Sequence, residues 1–258
     1  MSCATTVPAF WQRQPKLPLP VMKFMGARVE AALASPRDRA LLVWPTVLGA
    51  PGVRSAFPDG IPEPELLARA LPMLAPLGIQ DPGRAWAEAM ERMPGTAERG
   101  PGGWLPQRVW DPLASLVSLR LGVALLATLG QPEDQRYPLG CAVTLFDSAL
   151  FHECHDALEP LWMGSEGEPK TGFQGLILLA GGFHHMQVHN AGGMISLWRD
   201  ALEALEPFGG RLDTHWGSVD FRAGAEAAEE RLDWLSDYDG ERDLAPLWSL
   251  SRPSWELK

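Results

Sequence analysis

The sequence predicts an all-α protein built as a multi-helix bundle, and three observations lead to this prediction. Apolar residues recur three and four positions apart over several long segments, which is the spacing of one helix face. Two Asp-Pro pairs, at Asp81 and Asp111, have the form of a helix N-cap followed by proline at the first helical position. The sequence lacks a series of alternating apolar and polar runs separated by turn dipeptides, so a sheet is not expected.

The first half of the chain is predicted to be an arm followed by helices. Residues 1–20 hold four prolines, which exclude regular structure and favour an arm laid over the surface. Prolines predict a loop over 45–62, and a Pro- and Gly-rich stretch predicts a hinge over 94–106. Apolar spacing and boundary signals predict helices at about 21–34, 63–77, 85–93 and 112–129. The last of these is apolar nearly all round and is expected in the middle of the bundle.

The second half is predicted to be helical throughout. Apolar spacing predicts helices at about 143–162, 172–189, 194–206 and 219–235. Thr171 and Gln174 fit a capping box at the start of the second of these, and Asn190 fits its end, since Asn adopts positive φ more readily than most residues. The predicted regions are an arm, a helical N-terminal region, a helical domain, and a C-terminal helix with a tail packing on the bundle: 1–20, 21–135, 136–210 and 211–258.

Composition and charge limit the classes of partner. A chain of 258 residues forms one large domain or two small ones. Its formal net charge of −10 argues against nucleic acid and anionic membranes, which attract clustered Lys and Arg. The sequence shows no secretory signal, and its apolar run at 121–129 is far short of the ~20 residues of a membrane span. We therefore expect a cytoplasmic protein with a small-molecule substrate or ligand, and homo-oligomerisation stays open.

The stretch from Phe146 to Trp162 concentrates the residues capable of chemistry. It places two histidines and three carboxylates within eight residues, 152–159. On a helix, residues three and four apart share a face, so four of these side chains fall within an arc of about 100°: His152, His155, Asp156 and Glu159. His155 lies where this arc meets the apolar side, whereas His152 is expected at the rim.

The next predicted helix has a matching polar face. His185 shares its face with Gly181 and Gly182, and a stripe of glycines in a helix indicates the close approach of a neighbour. If that neighbour is the 143–162 helix, the histidines and carboxylates of the two helices face each other. The sequence therefore predicts a zinc, iron or manganese site with four candidate ligands: His155, Glu159, His185 and His189.

Four other residues receive supporting roles. Asp156 or Glu153 is expected to accept a proton beside a metal-bound water, and Gln174 and Trp162 are expected to contact a bound ligand or cofactor. Two interpretations without a metal stay open. One is a buried hydrogen-bond network between His and Glu on facing helices, and the other is a pocket for an organic ligand.

Spacing excludes three more familiar chemistries. The run H-E-C-H is one residue too short for the zincin motif H-E-x-x-H, which would need its second histidine where Asp156 stands. Cys154 and His155 are adjacent, so on a helix they point about 100° apart and do not form a nucleophile and base. The three cysteines are too few and too scattered for a disulfide framework or a cysteine-based zinc site.

Two blocks of sequence resemble the bacterial and archaeal domain-of-unknown-function family 309. The first fits the pattern F-N-x-x-x-(F/W)-x-x-x-H-E-x-L-E-x-x-W at Phe146, Asp147, Phe151, His155, Asp156, Leu158, Glu159 and Trp162. The second is similar to that family's (F/L)-Q-G-L-I, helix His and G-N-x-x-G-A at Phe173–Ile177, His185, Asn190 and Gly193. The resemblance covers about residues 140–206.

This resemblance implies a small all-helical domain whose matched polar residues gather between helices: His155, Glu159, Gln174 and His185. It implies no particular reaction. The chain departs from the pattern at Asp147 and Asp156, which replace Asn and Glu, and at Pro160, which is expected to kink or end the helix after Glu159.

The sequence therefore suggests a metal-dependent enzyme that hydrolyses a small polar substrate, with iron-dependent oxidation as the second choice within this class. The alternative is a non-catalytic helical binding or scaffold module in which the same residues form a structural network. A further hypothesis makes the tryptophan-rich N-terminal half a lid with its hinge at 94–106.

Overall fold

The computed structural model describes residues 10–34, 36–77, 79, 81–91, 104–106, 120–125 and 137–258. The chain divides into two compact units, residues 17–131 and residues 1–16 together with 132–258. Helices dominate the described part of both units, and this confirms the predicted all-α class. In that same part, no helix is both long and apolar enough to span a membrane.

The unit of residues 17–131 contains five helices with bounds given by the structure, and two short strands. The helices are α1 (Leu19–Ala34), α2 (Ala40–Leu48), α3 (Pro51–Ala56), α4 (Glu63–Leu74) and α5 (Pro82–Glu91). Strands β1 (Gly60–Pro62) and β2 (Trp104–Pro106) pair antiparallel. A further helical stretch covers 120–125, where Leu121 and Leu125 are buried as predicted. The rest of that predicted helix, including its proposed cap at Asp111, lies outside the described residues.

In this unit the sequence predicted the helix cap at Asp81 correctly, whereas the prolines led to a wrong prediction of a loop. Asp81 caps α5, since its Oδ1 accepts a hydrogen bond from the backbone nitrogen of Arg84 at 2.9 Å. The loop predicted over 45–62 is wrong, because α2 continues through Pro45, and α3 begins at Pro51. All residues of α2 except Thr46 are buried, so apolar packing outweighs the hydrogen bond that Pro45 removes. The described end of the predicted hinge, 104–106, is a paired strand.

The described part of the other unit consists of five α-helices, two short 3-10 helices (Glu206–Phe208 and Ala245–Ser249) and a small sheet. Its helices are α6 (Tyr137–Asp147), α7 (Phe151–Met163), α8 (Gly167–Gln187), α9 (Ala191–Leu205) and α10 (Arg222–Leu235). Strands β3 (Arg211–Thr214), β4 (Gly217–Asp220) and β5 (Glu256–Leu257) form an antiparallel sheet in the order β3-β4-β5. This sheet was not predicted, because strands of two to four residues are too short to show an alternating pattern. For the same reason, the predicted 219–235 helix wrongly included residues 219 and 220, which belong to β4.

The predicted 143–162 helix is wrong in its continuity. It consists of α6 and α7, separated by a turn in which Ala149 has a φ of 57°. Pro160 was expected to kink or end the helix, but α7 continues past it to Met163. The capping box predicted at Thr171 is also wrong, because α8 begins at Gly167 and places that residue in its second turn.

The glycines of α8 do mark a close helix contact, but with α9. A Cβ added at Gly175 would lie 2.6 Å from Cγ of Leu205, and one added at Gly182 would lie 2.3 Å from Cδ1 of Trp198. The predicted close approach is confirmed, whereas the predicted neighbour, the 143–162 segment, is wrong for these glycines. The glycine face therefore gives no reason to expect His185 opposite His155.

Gln187 joins the N-terminal arm to α8 and to the turn between α6 and α7. Its side-chain nitrogen donates to the carbonyl oxygens of Phe10 at 2.9 Å and Ala149 at 2.7 Å. The backbone carbonyl oxygen of Gln187 accepts a hydrogen bond from the backbone nitrogen of Gln14 at 2.7 Å. Because Gln187 is fully buried, these bonds satisfy groups that water does not reach.

Arg231 connects the C-terminal tail to α10. It is fully buried, and its guanidinium donates to the carbonyl oxygens of Ala227, Leu247 and Ser251. The guanidinium also lies between the rings of Trp11 and Phe183, at 5.4 and 5.6 Å. Burial lowers the pKa of Arg231 to about 10, which leaves it charged at neutral pH. The bonds to residues 247 and 251 hold the tail against this unit.

Candidate functional site

Helix α7 separates apolar from polar side chains along its length. Phe151, Cys154, Leu158 and Leu161 are buried on its apolar side. The opposite side contains four polar residues that are exposed to different degrees: His152, His155, Asp156 and Glu159. The helical phase predicted from the sequence therefore matches the structure on both sides of the helix.

Three of these residues form a candidate ligand cluster. One ligand atom from each of His155, Asp156 and Glu159 lies within 4.8 Å of the other two. The Nδ1 atom of His155 is 3.3 Å from Oδ1 of Asp156 and 3.8 Å from Oε1 of Glu159. Among the residues that the structure describes, this is the only such group of three. A nitrogen and two carboxylate oxygens at this separation suit a divalent cation.

Asp156 is held between two histidines. His152 Nδ1 lies 3.1 Å from Oδ2 of Asp156, on the other side of the carboxylate from His155. Burial acts to raise the pKa of Asp156, but its contacts with His152 and His155 outweigh burial and leave the pKa below its usual value. The carboxyl group of Asp156 is therefore ionised at neutral pH and is a weak base.

His152 contributes more to this site than its predicted rim position suggested. Its side chain is 21% exposed, and its ring lies 5.2 Å from that of His184 on α8. It stands four residues before Asp156, a spacing that places two helical side chains in contact. That spacing is the signal in the sequence that indicates His152 as part of the site.

Glu153 and Cys154 face the interior. Glu153 is fully buried, so the structure does not place it beside the half-exposed ligand cluster as the predicted proton acceptor. Burial raises the pKa of the Cys154 thiol well above its usual value, which keeps the thiol protonated. This environment agrees with the exclusion of a Cys/His dyad.

His185 makes its closest polar contact with Asn190, outside the ligand cluster. Asn190 accepts a hydrogen bond from the backbone nitrogen of Gly193 through Oδ1, at 3.1 Å, and this orients its amide. The amide nitrogen then lies 2.7 Å from Nδ1 of His185 and donates to it, so a neutral His185 has its proton on Nε2. Burial, followed by the charge of Lys16, lowers the pKa of His185.

Gly193 belongs to the same arrangement. A Cβ at this position would lie 2.4 Å from Nδ1 of His185, so a side chain there would displace the histidine ring. The His, Asn and Gly of the second sequence block thus form one local structure at the junction of α8 and α9. Residues 139–197 match the family model described as Domain of unknown function (DUF309). This match confirms the predicted resemblance.

The DUF309 segment spans most of α6, all of α7 and α8, and the first half of α9. It therefore includes the ligand cluster and the His185 junction but less than half of the chain. Comparison with curated proteins and with solved structures found no match. The family description assigns no activity, so the chemistry has to be argued from the residues.

The remaining candidates within the DUF309 segment have surroundings of their own. His189 has a φ of 53° at the end of α8, and burial, followed by the charge of Arg13, lowers its pKa. Gln174 is exposed on α8. Trp162 is half-buried with Nζ of Lys170 4.9 Å from its ring centre. Among the described residues, the structure brings neither His185 nor His189 into the group formed by His155.

Proposed function

We propose that this protein is a metal-dependent enzyme of the hydrolytic type, acting on a small polar substrate at the exposed face of α7. The observation that supports this proposal is the approach of ligand atoms from His155, Asp156 and Glu159 to within 4.8 Å of one another. Zinc, iron or manganese suits this mixture of one imidazole and two carboxylates. Such an ion, when bound, acts as a Lewis acid and lowers the pKa of a coordinated water.

The residues of α7 have distinct roles in this proposal. Asp156 supplies a negative charge, and His152 lies 3.1 Å from the buried Oδ2 of its carboxylate, as neighbouring groups commonly do for metal-binding carboxylates. Glu159 is about half exposed and supplies the second carboxylate at the solvent side. His155 binds a metal in its neutral form, because a protonated imidazole has no free lone pair to donate.

A titration of the full chain with each metal, followed by calorimetry, tests the site. Glu159→Gln removes one ligand charge from an exposed position, and we expect it to weaken binding by at least about tenfold. Glu168→Gln, at an exposed position in the first turn of α8, is the matched control and should leave affinity unchanged. Absence of binding by the unaltered chain, or equal affinities for the two variants, would refute this ligand set.

The geometry also supports a second candidate, a non-catalytic helical module in which these residues form a structural network. The observation in its favour is that Asp156 already has a histidine within 3.3 Å on each side. In that case His155→Ala lowers the free energy of unfolding by about 1–3 kcal/mol, because the mostly buried carboxylate of Asp156 loses a partner. Asp156→Asn lowers it by less, because the two histidines that it leaves are partly exposed. Urea denaturation in the presence of a chelator measures this, and unchanged stability of both variants would remove the support for a network.

A further inference from the structure

A groove separates the C-terminal end of α9 from α10, in the unit that contains the candidate site. Its cavity volume is about 580 Å³, which is within the usual range for small-molecule sites. Four apolar residues line it: Leu202 and Leu205 from α9, Phe221 just before α10, and Ala225 from its first turn. Leu205 and Phe221 are each 2% exposed, so the accessible apolar surface comes mainly from the half-buried Leu202 and Ala225.

Four glutamates line the same groove from both sides. Glu203 and Glu206 lie at the end of α9, and Glu226 and Glu229 lie on α10. All four are exposed, and within the described part of the chain none of them forms a salt bridge. The groove therefore combines an apolar surface with carboxylates on both walls.

Among the described residues that line the groove, the one cation is Arg222, and it is already paired with a carboxylate. Arg222 donates from Nε to Oδ1 of Asp220 at 3.1 Å and forms a salt bridge with the same carboxylate. Its methylene chain packs against Gly210, where an added Cβ would lie 2.0 Å from Cγ of Arg222. Its charge also interacts with that of Glu226, but one arginine already paired with Asp220 does not balance four glutamates.

The helix dipole makes this charge distribution more unfavourable in the free protein. Glu203 is in the last turn of α9 and Glu206 is its C-cap, where the partial negative charge of the helix end disfavours carboxylates. The last turn of α9 contains no basic residue to offset them. A cationic ligand would relieve this repulsion, so the charges favour a positively charged occupant.

We infer that this groove binds a linear aliphatic polyamine. The polyamine places its ammonium groups against the glutamates of the two walls and its methylene segments against the apolar surface. Along α10, the seven helical steps from Arg222 to Glu229 rise about 10 Å, which suits a short flexible chain and is only two turns of a docked helix. A single metal ion does not fit, because in the described chain no three of these carboxylates approach within 4.8 Å.

Calorimetry of the full chain with spermidine tests the inference. The double variant Glu203→Gln/Glu229→Gln removes one carboxylate from each wall, and we expect at least a tenfold rise in Kd. The control Glu168→Gln/Glu241→Gln changes net charge equally at exposed positions outside the lining of the groove and should change Kd less than about twofold. Equal losses in both double variants, or no binding of spermidine at millimolar concentration, would overturn the inference.

A ligand series separates polyamine binding from simple charge attraction. At equal charge, 1,8-diaminooctane should bind more tightly than ethylenediamine, because only the longer chain covers the apolar surface. Equal affinities of the two diamines, or displacement of spermidine by Mg²⁺ at the same ionic strength, would contradict an apolar contribution. Tighter binding of a lysine-rich amphipathic peptide, lost in Glu203→Gln/Glu229→Gln, would replace the polyamine with a protein partner.

Discussion

Replacing Asp147 with asparagine should stabilise the protein at neutral pH. Asp147 is the last residue of α6, and its Oδ1 accepts a hydrogen bond from the backbone nitrogen of Trp255 at 3.0 Å. The carbonyl oxygen of Asp147 also accepts from Arg252, so this residue anchors the tail at two points. Burial raises the pKa of its carboxyl to about 6, despite the opposing effects of the Trp255 hydrogen bond and the Arg252 charge. Asparagine keeps the acceptor oxygen and removes the charge that burial disfavours.

The expected magnitude follows from this shift in pKa. The rise from 3.8 to about 6 corresponds to about 3 kcal/mol of preference for the neutral form in the folded state. Because the folded pKa is the higher one, the stabilising effect of protonation is fully present below the unfolded value of 3.8 and is lost as pH rises through about 6. The charge of Arg252 favours the carboxylate and is not balanced in the variant. We therefore expect Asp147→Asn to add about 1–3 kcal/mol above pH ~7.

Urea denaturation from about pH 4 to pH 8 measures this effect as the difference between variant and unaltered chain at each pH. The difference should approach zero near pH ~4 and rise to a plateau above pH ~7. Asp200→Asn, at an exposed position on α9, is the control and should show no such dependence. A destabilised Asp147→Asn protein at neutral pH, or a difference that does not vary with pH, would refute the reasoning.

Two further predictions concern packing within the same unit. Gln187→Ala should cost about 2–4 kcal/mol, because it leaves two buried carbonyl oxygens without their donor, and loss of that much stability should appear in urea denaturation. Gly182→Ala should cost about 1–3 kcal/mol because its Cβ meets the ring of Trp198 at 2.3 Å. Gly181→Ala is its matched control, since the nearest neighbouring atom is 3.1 Å away at the end of a leucine side chain, and its thermal midpoint should stay within a few degrees of the original.

Helical phase was the most reliable guide to the candidate site. The position of a residue on a helix follows from its number alone, so the shared face of His155, Asp156 and Glu159 could be predicted without knowing the fold. The contact of His152 with Asp156 was harder to predict, because it depends on the direction of both side chains as well as on their spacing.

Contacts between helices could be predicted only in part. The glycines of α8 indicated that another helix comes close, but periodicity does not identify which helix, and the neighbour proved to be α9. The metal ligands predicted on α8, His185 and His189, were argued from a glycine face that meets the 143–162 segment, whereas Gly175, Gly181 and Gly182 meet α9. The contact of His185 with Asn190 has a signal in the sequence, because the two stand five residues apart around the end of a helix.

Backbone breaks were the least predictable feature. The turn between α6 and α7 uses Ala149 at a φ of 57°, a conformation that its side chain does not favour, so no glycine or asparagine marks it. Pro45 was expected in a loop and Pro160 was expected to kink or end its helix, yet each lies inside a helix. In both helices the neighbouring apolar residues are buried, and tertiary packing outweighs the local preference of proline.

The spacing of carboxylates distinguishes the two binding sites proposed for this protein. On α7, a nitrogen and two carboxylates come within 4.8 Å, so one compact cation can contact all three. In the groove between α9 and α10, no three carboxylates come that close among the described residues, and only an extended ligand can contact several of them. Glu159→Gln should therefore leave spermidine affinity unchanged, and Glu203→Gln/Glu229→Gln should leave metal affinity unchanged. If either change reduced both affinities, the two ligands would share one diffuse acidic surface, and neither site would be specific.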